Sequence, residues 1–205
     1  MRSDSGSIVP LRLSDEVRLE KAIDAFDAGD QSPELFKEFT DLIDRGVKEA
    51  NYFVGYMYEE GSNGVEKNPA YALHYYEKSV EDFGYVEGYL ALARMFYHGD
   101  GVAQDYERAF QYYEHVATQR NHPVAIFMLG RMYQNGTGIR KDLGEARALY
   151  EKAISAGSVY GMINLAFLEA EEGHLLKSLL LRVRAGVSAF MISRKDSRDP
   201  RLRGG

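Results

Sequence analysis

Five histidines, two pairs of adjacent glutamates and a set of glycine-bounded turns are the residues of this chain that could carry chemistry. Their spacing points away from catalysis. His74, His98, His115, His122 and His174 form no H-E-x-x-H or other metal-ligand pattern. His98, beside Gly99-Asp100-Gly101, comes nearest to a site and reads as an exposed residue closing a helix. Glu59-Glu60 and Glu171-Glu172 are neighbours in sequence. Adjacent helical residues do not face one another, so neither pair forms a general acid and base aimed at one substrate. The glycine turns are not followed by the G-K-[ST] of a phosphate loop. The chain has no cysteine, which removes disulfide scaffolds, thiol nucleophiles, thiolate zinc sites and iron–sulfur clusters. The reading is of a non-enzyme with no catalytic residues, no metal and no cofactor.

What remains is binding, and the elements that would position binding residues repeat. Across 205 residues, 45% hydrophobic and 27% charged, three segments align, from Tyr52, Tyr89 and Phe127. Asn68, Asp105 and Asp142 share one repeat position; so do Ala72, Ala109 and Ala146, then Tyr76, Tyr113 and Tyr150, then Glu77, Glu114 and Glu151, each set at intervals of 37. One extra residue between Gly61 and Gly64 falls in a turn, where length changes are tolerated. Each segment reads as two antiparallel helices. The first ends at a glycine suited to a left-handed turn, Gly61, Gly99 or Gly136. The second begins at a capping Asn or Asp whose side chain can accept a free N–H of the first turn. The repeated alanine implies close helix approach and the repeated tyrosine a large side chain wedged between helices.

Flanking segments extend the array. Ser14 to Ala28 and Ser32 to Arg45 read as a divergent helix pair, within a segment 14–46. Residues 47–193 read as the repeats with a restarted first helix around Leu165 and a capping helix from Leu175 to Ser193. The expectation is about four to five helix pairs, with a flexible arm over 1–13 and a basic flexible tail over 194–205.

A leucine-glycine pair, a tyrosine three residues on, a G-x-G-[VI] turn, then Asp or Asn, alanine, and an aromatic followed by glutamate: this pattern resembles the Sel1-like repeat, a relative of the tetratricopeptide repeat. Leu129, Gly130, Tyr133, Gly136, Gly138, Asp142, Ala146, Tyr150 and Ala153 carry it best, and the resemblance covers about 52–170. Ala93 departs from the glycine of the other copies, and Arg120 from the glycine equivalent to Gly157. The resemblance implies an all-α, right-handed α-solenoid acting as an adaptor or scaffold, often bacterial, with no shared catalytic residues.

Groove positions carried over from the tetratricopeptide relatives, by aligning Val54, Leu92 and Leu129, are Tyr52, Tyr56, Glu59 and Glu60, then Leu90, Arg94, Tyr97 and His98. Phe127, Arg131, Gln134 and Asn135 follow, then Ile163 and Phe167. Arg94 and Arg131 recur at one position, and two arginines among tyrosines would anchor a carboxylate of a partner protein. The competing reading pairs these arginines with Glu59, Glu60 or Glu87. The function expected is a scaffold that binds another protein along this concave face. The alternative is an inhibitor or immunity-type protein that neutralises an effector enzyme.

The charge is uneven. From Leu175 onward eight basic residues face two acidic ones, a net of +6, which leaves -12 on the first 174 residues of a chain whose total is -6. Leu176, Leu179, Leu180, Val183, Val187, Phe190 and Met191 follow helical spacing. Capping the array is the favoured role for this helix. Attachment to a membrane surface or self-association through 175–205 is the lesser one. The acidic body argues against nucleic acid. The final RLRGG is similar to the end of ubiquitin, yet nothing else in the chain resembles a β-grasp domain. The opening residues lack an apolar signal core, and Lys177, Arg182 and Arg184 interrupt the most apolar stretch, so a cytoplasmic location is expected.

Overall fold

Each capping and turn residue read from the sequence marks a helix end in the computed structural model, which describes residues 14–81 and 84–195. Ten helices and no strand occur among the described residues: α1 (Asp15–Asp27), α2 (Pro33–Asp44), α3 (Ala50–Glu60), α4 (Pro69–Glu81), α5 (Val86–His98), α6 (Tyr106–Arg120), α7 (Pro123–Asn135), α8 (Leu143–Ser155), α9 (Val159–Glu171) and α10 (Leu175–Lys195). The expected arm over 1–13, and the tail beyond 195 with its RLRGG end, lie outside the described residues. The last helix runs two residues past its expected end at Ser193.

The chain divides into two compact units, residues 1–83 and 84–205. In the first, α1 packs on α2, α2 on α3 and α3 on α4. Arg18 of α1 clamps α2, with its guanidinium donating to both Glu38 oxygens at 2.8 and 2.9 Å and to Asp41 at 2.6 Å. Phe39 stacks on Phe53 with ring centroids 4.7 Å apart, inside a core of Ala22, Leu35, Leu42, Val54 and Met57. In the second unit consecutive helices pack in order from α5 to α10.

The caps are those expected. Asn68, Asp105 and Asp142 accept the N–H groups of Tyr71, Arg108 and Glu145 at 3.2, 3.0 and 3.0 Å. Gly61, Gly99 and Gly136 close α3, α5 and α7 in the left-handed conformation, with φ of 71°, 77° and 71°. The second repeat deviates where its sequence does. Without a glycine at Arg120, α6 runs 15 residues against 13 for α8, and Asn121 takes the left-handed turn at φ 50°.

The small and large positions interlock. Tyr76 and Tyr150 are fully buried, each ring lying against the glycine of the preceding helix, Gly55 or Gly130. Full burial of one such side chain stabilises the fold by about 1.5–3 kcal/mol.

Candidate partner-binding face

The repeat brings four series of side chains onto the first helix of each pair, and the structure separates their roles. Glu59, Tyr97 and Gln134 occupy one repeat position. In two of the three repeats this position serves the packing tyrosine. Tyr76 donates its hydroxyl to Glu59 at 2.7 Å, and Tyr150 donates to Gln134 at 2.6 Å. A tyrosine forced between helices keeps its polar end inside, and a buried hydroxyl needs an acceptor. Glu59 is consequently 7% exposed. It and Gln134 act inside their repeats, a correction to their expected place on the groove. Tyr97 is half-buried and packs edge-on against Tyr106 at 5.4 Å.

Phe127 also leaves the expected face. It is 3% exposed, between Tyr150 at 6.1 Å and Tyr160 at 5.9 Å, because an unbranched aromatic at this position finds apolar cover between α8 and α9. Its equivalents Tyr52 and Leu90 are half-buried, and Tyr52 lies 5.8 Å from the ring of Tyr76. Ile163 is half-buried against Val159 and Met162. Glu60, His98 and Asn135 are exposed at the ends of their helices.

The remaining series is Tyr56, Arg94, Arg131 and Phe167, equivalent by repeat alignment. Tyr56, in the first unit, is partly exposed and edge-on to Phe26 at 5.2 Å. In the second unit, Arg94 and Arg131 are half-buried. Burial raises the Tyr113 hydroxyl above the ordinary tyrosine range, and the positive charges of Arg94 and Arg131 pull against that rise. Burial raises Tyr150 likewise, again opposed by Arg131. Arg131 lies against Met128 Sδ at 3.9 Å and over the Phe127 ring at 5.9 Å, and no carboxylate among the described residues forms an ion pair with it. Phe167 is 50% exposed, and Arg182 of α10 reaches across to set its guanidinium 4.8 Å from that ring. This third arginine was invisible to repeat alignment, because it enters from outside the repeats.

Two other clusters are self-satisfied. A cleft of about 750 Å³ in the first unit is lined by Arg18, Glu38, Asp41 and Arg45, whose charges already pair. In the second unit, Glu169 is 0% exposed. It takes Arg147, His174 Nδ1 at 2.8 Å and Lys177 at 2.6 Å, while Arg147 also pairs with Glu172. Burial would raise the Glu169 carboxyl, but hydrogen bonds from Lys177, His174 and Arg147 outweigh it and hold the group at about 2. Glu169, Glu172 and His174 lie close enough to share a cation, yet their oxygens already face a guanidinium and an ammonium. The chain supplies its own positive charge there.

A model of the Sel1 repeat matches residues 48–82, 86–118 and 123–158. No curated protein matches the sequence. Among solved structures, the chain is similar to c5321, described as a protective antigen of uropathogenic Escherichia coli strains displaying an SLR fold. The two share 20% identity and a TM-score of 0.71 over 93% of this chain and 43% of that one. A Sel1 repeat protein from Oxalobacter formigenes gives 20% identity and a TM-score of 0.72 over 93% of this chain and 81% of that one. MamA gives 16% and 0.59 over 84% and 96%. At these identities the likeness establishes the fold, an α-solenoid of Sel1-like repeats. The chain spans less than half the length of the E. coli protein.

Proposed function

From the premise that this chain belongs to the Sel1 repeat family, we propose that it is a non-catalytic scaffold whose α5 and α7 bind an acidic segment of another protein. The observation that carries this reading is Arg131. Its guanidinium rests on Met128 and Phe127 and forms no ion pair with a carboxylate among the described residues. Arg94 stands at the equivalent position of the preceding repeat. A desolvated arginine beside aromatic surface can gain a bidentate carboxylate at little ordering cost. Tyr97 adds rigid contact area of the kind that dominates interface energetics.

No helix among the described residues is long and apolar enough to cross a membrane. The absence of cysteine fits a reducing compartment, and the Escherichia and Oxalobacter neighbours fit a bacterial source; we place the protein in the bacterial cytoplasm.

The test is affinity capture from the native organism with mass spectrometry, run in parallel with wild type and with Arg94→Ala combined with Arg131→Ala. Loss of a specific partner by about tenfold or more is expected, since each desolvated charge-assisted contact contributes about 1.5–3 kcal/mol. Equal recovery of that partner by both forms sinks the assignment.

A further inference from the structure

Helix α10 carries two apolar stripes on opposite sides. Ser178 and Ala185 are buried, and Ala189 and Ile192 pack with Ala185 on the Val159–Met162 cluster of α9. At 3.6 residues per turn, Leu176, Leu180, Val183, Val187 and Phe190 fall about half a turn away from that inner stripe. They are 48% to 71% exposed, as are the adjoining Leu175, Leu179 and Met191 within the same range. The helix is held on its neighbour by small residues while its large ones face outward. α10 covers α9, as expected of a cap, through the side opposite its stripe of large apolar residues.

The outward stripe has a register. Its intervals are 4, 3, 4 and 3 residues, the a/d spacing by which one helix seats against another. We propose that this face is a homodimer interface, in which α10 packs antiparallel on α10 of a second copy about a two-fold axis.

Three observations favour a second copy. First, the stripe is complementary to itself in the antiparallel sense. Setting Leu180 opposite Val183 of the second copy also sets Leu176 opposite Val187, so each layer joins a large residue to a smaller one. Second, two of the cations that would draw the helix to an anionic membrane are engaged within the fold. Lys177 binds Glu169 at 2.6 Å, and Arg182 lies over Phe167. The net charge of -12 on the first 174 residues would itself be repelled by an acidic bilayer. Third, eight large apolar side chains this exposed exceed the patch of about 300–600 Å² typical of a monomer, and approach the roughly 800 Å² per partner of a standard interface.

Sedimentation equilibrium of the 205-residue chain, with two single-site variants and a cross-linking pair, tests this. The expected result is a dimer of the 23.2 kDa chain. Leu180→Glu and Val187→Glu, at exposed positions, should each weaken dimerisation about a hundredfold while leaving the helical circular dichroism and melting of the diluted monomer unchanged. The absence of native cysteine makes the register measurable: oxidation should join Leu180→Cys protein to Val183→Cys protein, and neither to itself. A chain that is monomeric at 100 µM overturns the proposal, whether the face then proves to bind anionic vesicles or to be covered by residues 196–205. Self-cross-linking of Leu180→Cys alone, the signature of parallel pairing, overturns the antiparallel register. Because Arg94 and Arg131 take no part, their double substitution should leave the dimer intact, so this result and the partner assignment fail separately.

Discussion

The ring of Tyr150 occupies the space that a side chain on Gly130 would need: a methyl group there would lie 2.7 Å from Cε1 and 2.8 Å from Cδ1. Tyr76 stands against Gly55 in the same way, at 2.8 and 2.9 Å. Glycine in mid-helix costs about 1 kcal/mol against alanine, so close approach of the ring is what retains it.

Gly130→Ala is therefore expected to destabilise the protein by about 1–3 kcal/mol, because overpacking outweighs the gain in helix propensity. Ala93→Gly, at the equivalent position of the second repeat, is expected to lose about 1–2 kcal/mol, from helix propensity and from removal of a fully buried methyl group. Urea unfolding of both variants checks the pair of signs. A Gly130→Ala protein as stable as wild type would refute the ring-against-glycine account.

Asn63 is the residue inserted into the first glycine turn, and its side-chain amide donates to the Asp30 and Ser32 carbonyls at 2.9 and 3.0 Å while 3% exposed. It takes φ 55°, which glycine adopts without strain. Asn63→Gly thus isolates the two hydrogen bonds, and a loss of about 1–3 kcal/mol is expected. Hydrogen exchange should show the loss in α1 and α2, with α5 to α10 unaffected.

The Glu169 carboxyl titrates at about 2 when folded, against 4.5 in the unfolded reference. A depressed carboxyl contributes stability above its unfolded value, and that contribution falls away as pH drops from about 4.5 toward 2. Thermal melts of wild type should decline across that window. Glu169→Gln should flatten that decline and lower stability at pH 7 by about 1–3 kcal/mol, since Arg147, His174 and Lys177 lose the negative charge they share while the amide oxygen can still accept. An unchanged acid profile in this variant would show that Glu169 contributes nothing to it.

The repeat boundaries were legible because each rests on local chemistry: a glycine that can turn left-handed and an Asp or Asn that caps. The flanking pair was legible from helical spacing, and its Ser14 cap is present, accepting the Val17 N–H at 3.4 Å. The binding face was legible only in outline. Positional transfer from one repeat to the next says which way a residue points on its own helix, not what lies across from it. Glu59 and Gln134 point inward to hydroxyls that belong to other helices, and Phe127 is covered by two elements. For the last helix, capping was legible but the packed face was not. Its large apolar residues mark its greasiest side, while close packing on α9 selected the side with Ser178 and Ala185.

The insertion at Asn63 has a consequence for assembly during folding. Repeats with interchangeable surfaces can dock one unit out of step, leaving a compact but misassembled chain. Only the first glycine turn carries the extra residue, and only it offers an amide to the α1–α2 connection. The pair that opens the array thus has one address, and a chain that docks it on either later turn forfeits both bonds.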